Sequence, residues 1–65
     1  MQIQLNGEGV QVVAVDLAGL VTELGLEKRM IAIERNMEVV PKSEYAATQL
    51  EENDRIELVH MIGGG

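Results

Sequence analysis

The sequence contains no cysteine, no tryptophan and no phenylalanine, and only one tyrosine, one proline and one histidine. Without cysteine there is neither a disulfide framework nor a thiolate metal site. No apolar run approaches the roughly 18 residues of a membrane span, and no basic segment followed by an apolar run opens the chain, so neither a membrane location nor a secretory leader is expected. Basic residues are few: 5 Lys and Arg stand against 11 Asp and Glu, giving a net charge of -6. Phosphate binding needs clusters of Lys and Arg, which argues against nucleic acid as a partner. Length is short as well. A chain of 65 residues is one domain at most and can bury about 60% of its unfolded surface. That allows a thin core and no deep substrate cavity. With 46% apolar residues the chain is still too hydrophobic for a disordered acidic tail. These absences leave a small, soluble, cytoplasmic binding module, monomeric when free, rather than an enzyme in its own right.

What is present is ordered along the chain with no linker and no internal repeat. From Met1 to Asn6 apolar Ile3 and Leu5 alternate with Gln2 and Gln4, the period of a strand. Asn6-Gly7-Glu8-Gly9 is a turn signal of the Asn-Gly type. The β-branched run Val10 to Val15 predicts the second strand of a hairpin. Asp16 can cap a helix, and Leu17, Leu20, Val21 and Leu24 form one helical stripe. Gly25 followed by Leu26 supplies the stop. A third strand is expected over Met30 to Arg35, a tight turn at Asn36-Met37 and a short returning strand over Glu38 to Val40, ended by Pro41. Ser43 to Ala47 predicts a single helical turn capped by Ser43. Leu50 is a lone core plug, Glu51 to Asp54 a turn, and Arg55 to Ile62 the last strand. Two strands, a helix and further strands predict an α+β fold, with one mixed sheet of 4–5 strands and the helix across one face. The pattern leaves the strand order open.

The sequence ends on Gly63, Gly64 and Gly65. Glycine has no Cβ, so such a tail can pass a narrow slot and adopt backbone angles closed to other residues. A terminal carboxylate is ionised at neutral pH and, on a thin arm, is a deliverable nucleophile. It could attack the α-phosphate of a nucleotide held by another protein, and the mixed anhydride would be open to a second nucleophile. The chain has no Gly-rich phosphate loop ahead of a helix and no Walker pattern, so the catalyst would be the partner. The plain alternative is a terminus without function.

Two stretches carry a resemblance to a known family. Asp54-Arg55-Ile56-Glu57-Leu58-Val59-His60-Met61-Ile62-Gly63-Gly64-Gly65 and Ile33-Glu34-Arg35-Asn36-Met37-Glu38-Val39-Val40-Pro41 resemble the ThiS family, the bacterial sulfur carriers of thiamine biosynthesis, and the likeness covers essentially the whole chain. One departure is Asn53, where the family usually has Gly; Asn tolerates the left-handed conformation, so the turn should survive. The resemblance implies a ubiquitin-like β-grasp domain over 1–62 and a flexible Gly tail over 63–65. It implies that the Gly65 carboxylate is adenylated with ATP by an E1-like (ThiF-like) activating enzyme and converted to a thiocarboxylate with sulfur from a desulfurase or rhodanese-like protein. That sulfur then passes to thiazole synthase (ThiG-like). The chain itself would bind no cofactor, and ATP would be used by the activating enzyme. The small subunit of molybdopterin synthase (MoaD-like) is the nearest alternative. That family tends to be longer and to carry prolines before its tail, where Val59-His60-Met61-Ile62 stands here. A β-grasp interaction module with idle glycines, and conjugation to proteins through the tail, remain open.

Strand parity assigns Ile56 and Leu58 to the core and leaves Val59 and Met61 exposed. With Ile62, these form the expected partner interface, methionine being well suited to surfaces that meet more than one partner. His60, with no cysteine or second histidine, is a poor candidate for a metal or a catalytic triad. Tyr45 is expected at the edge of the core. Arg35 and Arg55 could pair with carboxylates nearby, and nothing in the sequence decides it.

Overall fold

The computed structural model describes residues 1–61, so the expected boundary between residues 62 and 63 lies outside the described residues. Five strands form one mixed sheet in the order β2-β1-β5-β3-β4. They are β1 (Gln2–Leu5), β2 (Glu8–Gln11), β3 (Ile31–Arg35), β4 (Glu38–Val40) and β5 (Arg55–His60), with one helix, α1 (Leu17–Glu23), between β2 and β3. β5 lies between β1, to which it is parallel, and β3, to which it is antiparallel.

The first hairpin shows how turn chemistry sets strand limits. Asn6 and Gly7 have φ of 49° and 86°, both positive, as a tight two-residue hairpin turn requires. Pairing therefore begins at once, with Glu8 opposite Leu5, and runs to Gln11 opposite Gln2; Met1 and Val12 still exchange N–H···O bonds at 2.8 Å each, after which the chain turns to α1. The second strand thus runs over Glu8–Gln11, not Val10 to Val15. Beyond it Val12 is buried, while the Glu23 carboxylate accepts the freed Val13 and Ala14 N–H groups at 3.1 and 2.8 Å.

Asp16 caps α1 as expected, its Oδ1 accepting the Gly19 N–H at 2.7 Å. The stop is a Schellman motif: the Leu26 N–H donates to the Val21 carbonyl, the Gly25 N–H donates to the Thr22 carbonyl, and Gly25 has φ of 71°. Leu17 and Leu20 are fully buried against the sheet with Ile3, Ile33 and Ile56, while Val21 and Leu24 flank that core. Leu50 and Tyr45 close its far side. The Leu50 N–H donates to the Val15 carbonyl at 2.9 Å, so the lone leucine is a plug, as its isolation suggested. The turn after Pro41 is 3-10, over Lys42–Glu44, with no side-chain cap. Ser43 therefore sits inside this turn and does not cap it, because Pro41 already presets the entry angle. The third and last strands are shorter than expected, omitting Met30 at the start of one and Met61 at the end of the other.

Candidate functional site

The expected site is the stretch where β5 leaves the sheet. Its root is firmly placed. β5 pairs with β3 over Ile31↔His60 to Arg35↔Ile56, and the Met61 N–H donates to the Met30 carbonyl at 2.9 Å. The backbone is thus hydrogen-bonded to residue 61. Ile62, Gly63, Gly64 and Gly65 lie outside the described residues.

At its other end β5 is held by a polar latch. The Asp54 carboxylate is buried. It accepts the Arg35 Nε–H at 2.8 Å, the Glu51 N–H at 2.8 Å and the Asn36 Nδ2–H at 3.1 Å. Asn36 in turn accepts the Arg55 N–H through Oδ1 at 2.9 Å, and its own N–H donates to the Arg55 carbonyl at 2.8 Å. Burial alone would push the Asp54 carboxyl up. The hydrogen bonds from Arg35, Glu51 and Asn36, with the Arg35 charge, outweigh that and hold it below its usual range. Sequence reading left the partner of Arg35 open, since it lies 19 residues away. Arg55 makes no ion pair among the described residues. Asn53 keeps the turn before the latch, with φ of 69°.

Parity leaves Val59 and Met61 exposed, and both are exposed in the structure, though in different surroundings. Val59 stands opposite Ala32 on the sheet face turned away from α1 and is 54% exposed. Met61 lies one residue past the strand, where the pleat no longer dictates its direction. It lines a half-open hollow of ≈ 240 Å3 at the end of the sheet, together with Val21, Leu26, Met30, Ile31 and Tyr45. Arg29, Lys42 and Glu27 rim this mainly apolar hollow. Tyr45 is buried, and that burial pushes its hydroxyl up from the ordinary value. Sequence reading missed the hollow because its walls come from four separate segments; the Val21 and Leu26 pair flanking Gly25 was the available signal. His60 lies on β5 opposite Ile31. Among the described residues no group of three His, Cys, Asp or Glu side chains is placed to hold a metal ion, and no helix is long and apolar enough to cross a membrane.

Residues 3–65 match the model of the ThiS family. The chain is 35% identical to the sulfur carrier protein ThiS of Bacillus subtilis over 65 residues, covering 97% of this chain and 98% of that protein. It is 42% identical over its whole length to a thiazole synthase of Paramagnetospirillum magneticum. The chain spans about a fifth of the length of the thiazole synthases it matches. Its fold matches the crystal structure of the thiamine biosynthesis protein ThiS from Geobacter metallireducens with a TM-score of 0.85, at 25% identity and with all of both chains covered. The mixed sheet with one helix across it is the ubiquitin-like β-grasp that the family resemblance implied.

Proposed function

The chain belongs to the ThiS family, and from that premise we propose that it is a sulfur carrier of thiamine biosynthesis whose reactive end is the Gly65 carboxylate. The observation that carries this reading is the match over residues 3–65 on a fold in which the strand before the glycines is paired on both sides. Such a strand gives the chain a fixed root as far as residue 61. A carrier needs that and little else, since the catalytic pockets belong to its partners.

The chemistry runs in three steps. In an E1-like activating enzyme a carboxylate oxygen of Gly65 attacks the α-phosphorus of ATP. An O–P bond forms, pyrophosphate leaves, and the carboxylate becomes an acyl adenylate. A sulfur nucleophile, supplied as a persulfide by a desulfurase or rhodanese-like protein, attacks the acyl carbon, and AMP leaves with the electron pair of the C–O bond. Reductive cleavage of the S–S bond by a thiol leaves the thiocarboxylate, which gives its sulfur to thiazole synthase. Relatives that are themselves thiazole synthases and contain a stretch like this whole chain support the last partner. Two modules on one polypeptide meet at an effective concentration set by their linkage, without a tight interface. The apolar Val59 on the outer face and Met61 at the hollow, with Ile62 beyond, are the interface for these partners.

The test is intact mass spectrometry after incubation with the activating enzyme, ATP and the sulfur donor. An oxygen-to-sulfur exchange at Gly65 is expected, and a residue appended after Gly65 should abolish it. Exchange that persists in the appended variant, or none in the natural chain, overturns the reading. Stable co-purification with the large subunit of molybdopterin synthase would favour that branch instead.

A further inference from the structure

The backbone of β5 bonds to its two neighbours by turns. The Arg55 carbonyl accepts the Asn36 N–H at 2.8 Å, and the Met61 N–H donates to the Met30 carbonyl at 2.9 Å. Glu57 and Val59 lie between these residues with the same parity, opposite Glu34 and Ala32, so they too bond toward β3. Ile56, Leu58 and His60 turn their backbone groups to the other side, where β1 lies. The Ile56 carbonyl accepts the Asn6 N–H at 2.9 Å, and the Leu58 N–H donates to Asn6 Oδ1 at 2.8 Å. There β1 stops, because the chain turns back at Asn6 and Gly7, both with positive φ. Among the described residues the Leu58 carbonyl and the His60 N–H and carbonyl meet no partner, and His60 is exposed. Folded proteins blunt an open strand edge with proline, lysine or a bulge. Leu58-Val59-His60-Met61 has no proline and no lysine, and its register against β3 runs unbroken to His60.

We propose that a partner protein adds an extended backbone segment to this open side of β5, in the place that β1 vacates past Asn6. Its N–H groups meet the Leu58 and His60 carbonyls, and one of its carbonyls meets the His60 N–H. Strand addition of this kind draws its affinity from main-chain hydrogen bonds. The partner is the protein that holds the glycine end, so the inference rests on the carrier reading and names how the chain is gripped. Gly63, Gly64 and Gly65 offer no side chains, so a protein that binds them has only the backbone to bond. A strand laid along Leu58 and His60 begins that backbone contact on the last paired stretch before the glycines.

The test is amide hydrogen exchange of the isotope-labelled carrier chain, read residue by residue by NMR. It is measured free and with the activating enzyme and thiazole synthase in turn. In the free chain the His60 amide should exchange fast and the Val59 amide, bonded toward β3, slowly. In the complex the His60 amide should slow by about tenfold or more. Binding to both proteins with an unprotected His60 amide overturns the proposal. Protection already present in the free chain also overturns it, whether constant or growing with concentration as pairing of two copies would make it. His60→Pro removes the N–H on the open side and leaves the bonds to β3, whereas His60→Ala keeps that N–H. The proline variant should bind about tenfold more weakly than the alanine variant, and equal affinities overturn the proposal. Melting curves accompany both, and where the proline variant does not fold, the exchange of the natural chain decides alone. Sulfur loading, read by intact mass, separates the two readings. A chain that loads sulfur and binds with an unprotected His60 amide overturns the strand contact alone. Failure of the natural chain to load overturns the carrier reading.

Discussion

Asp54 is the charged side chain that the described part of the fold buries, and its three donors come from β3, the β3–β4 turn and the loop before β5. Its folded pKa lies below its ordinary 3.8. The latch therefore contributes its full stability above that value and loses it as pH falls through the lower folded value. The urea midpoint should drop below about pH 4. Asp54→Asn should cost about 2 kcal/mol at neutral pH, short of a fully buried pair because Arg35 is partly exposed, and should flatten that acid dependence. An unchanged midpoint or an unchanged pH profile would refute the role. Met37 is a strained point of the backbone. It has φ of 75° with a side chain 78% exposed, so it keeps left-handed strain and contributes little packing. Met37→Gly should raise the free energy of unfolding by about 0.5–1 kcal/mol in urea titrations; a loss would mean that the side chain packs in a way its exposure denies.

At the scale of elements, what could be read from the sequence depended on whether its cause was local. The α1 stripe, its Asp16 cap and its Gly25 stop follow from residues within one turn of each other, and all three stand in the structure. The end of β2 does not, because it depends on the Glu23 carboxylate of α1 taking the Val13 and Ala14 N–H groups, and the β-branched Val12, Val13 and Val15 disguise it. Ser43 was a plausible cap by type, but Pro41 had already set the turn. The strand order and the point at which β1 stops pairing with β5 depend on long-range register, which period alone leaves open. The Arg35–Asp54 latch was hidden for the same reason, and so was the hollow that the exposed Met61 lines. Since the Asp16 side chain satisfies the Gly19 N–H at 2.7 Å, Asp16→Ala should lower stability by about 1 kcal/mol, measured as a shift of the denaturation midpoint at constant slope. No shift would show that the seven-residue helix is held by its apolar face alone.

At the scale of the whole molecule, the buried apolar core found among the described residues runs from Ile3 to Ile56. Removing residues 63–65 should therefore leave the melting curve unchanged while abolishing sulfur loading in the mass measurement. A lower melting temperature would place the glycines in the folding unit and weaken the division between domain and tail. The charge of -6 keeps copies of the domain apart and so serves solubility. The parallel pairing of β1 with β5 has a mechanical consequence. A pull applied between the start of β1 and the end of β5 loads the bonds between them in shear. The Gln4 N–H to the Asp54 carbonyl, the Asn6 N–H to the Ile56 carbonyl and the Leu58 N–H to Asn6 Oδ1 then share the load instead of parting one by one. A partner that tugs on the glycine end pulls along the direction in which this small domain is toughest.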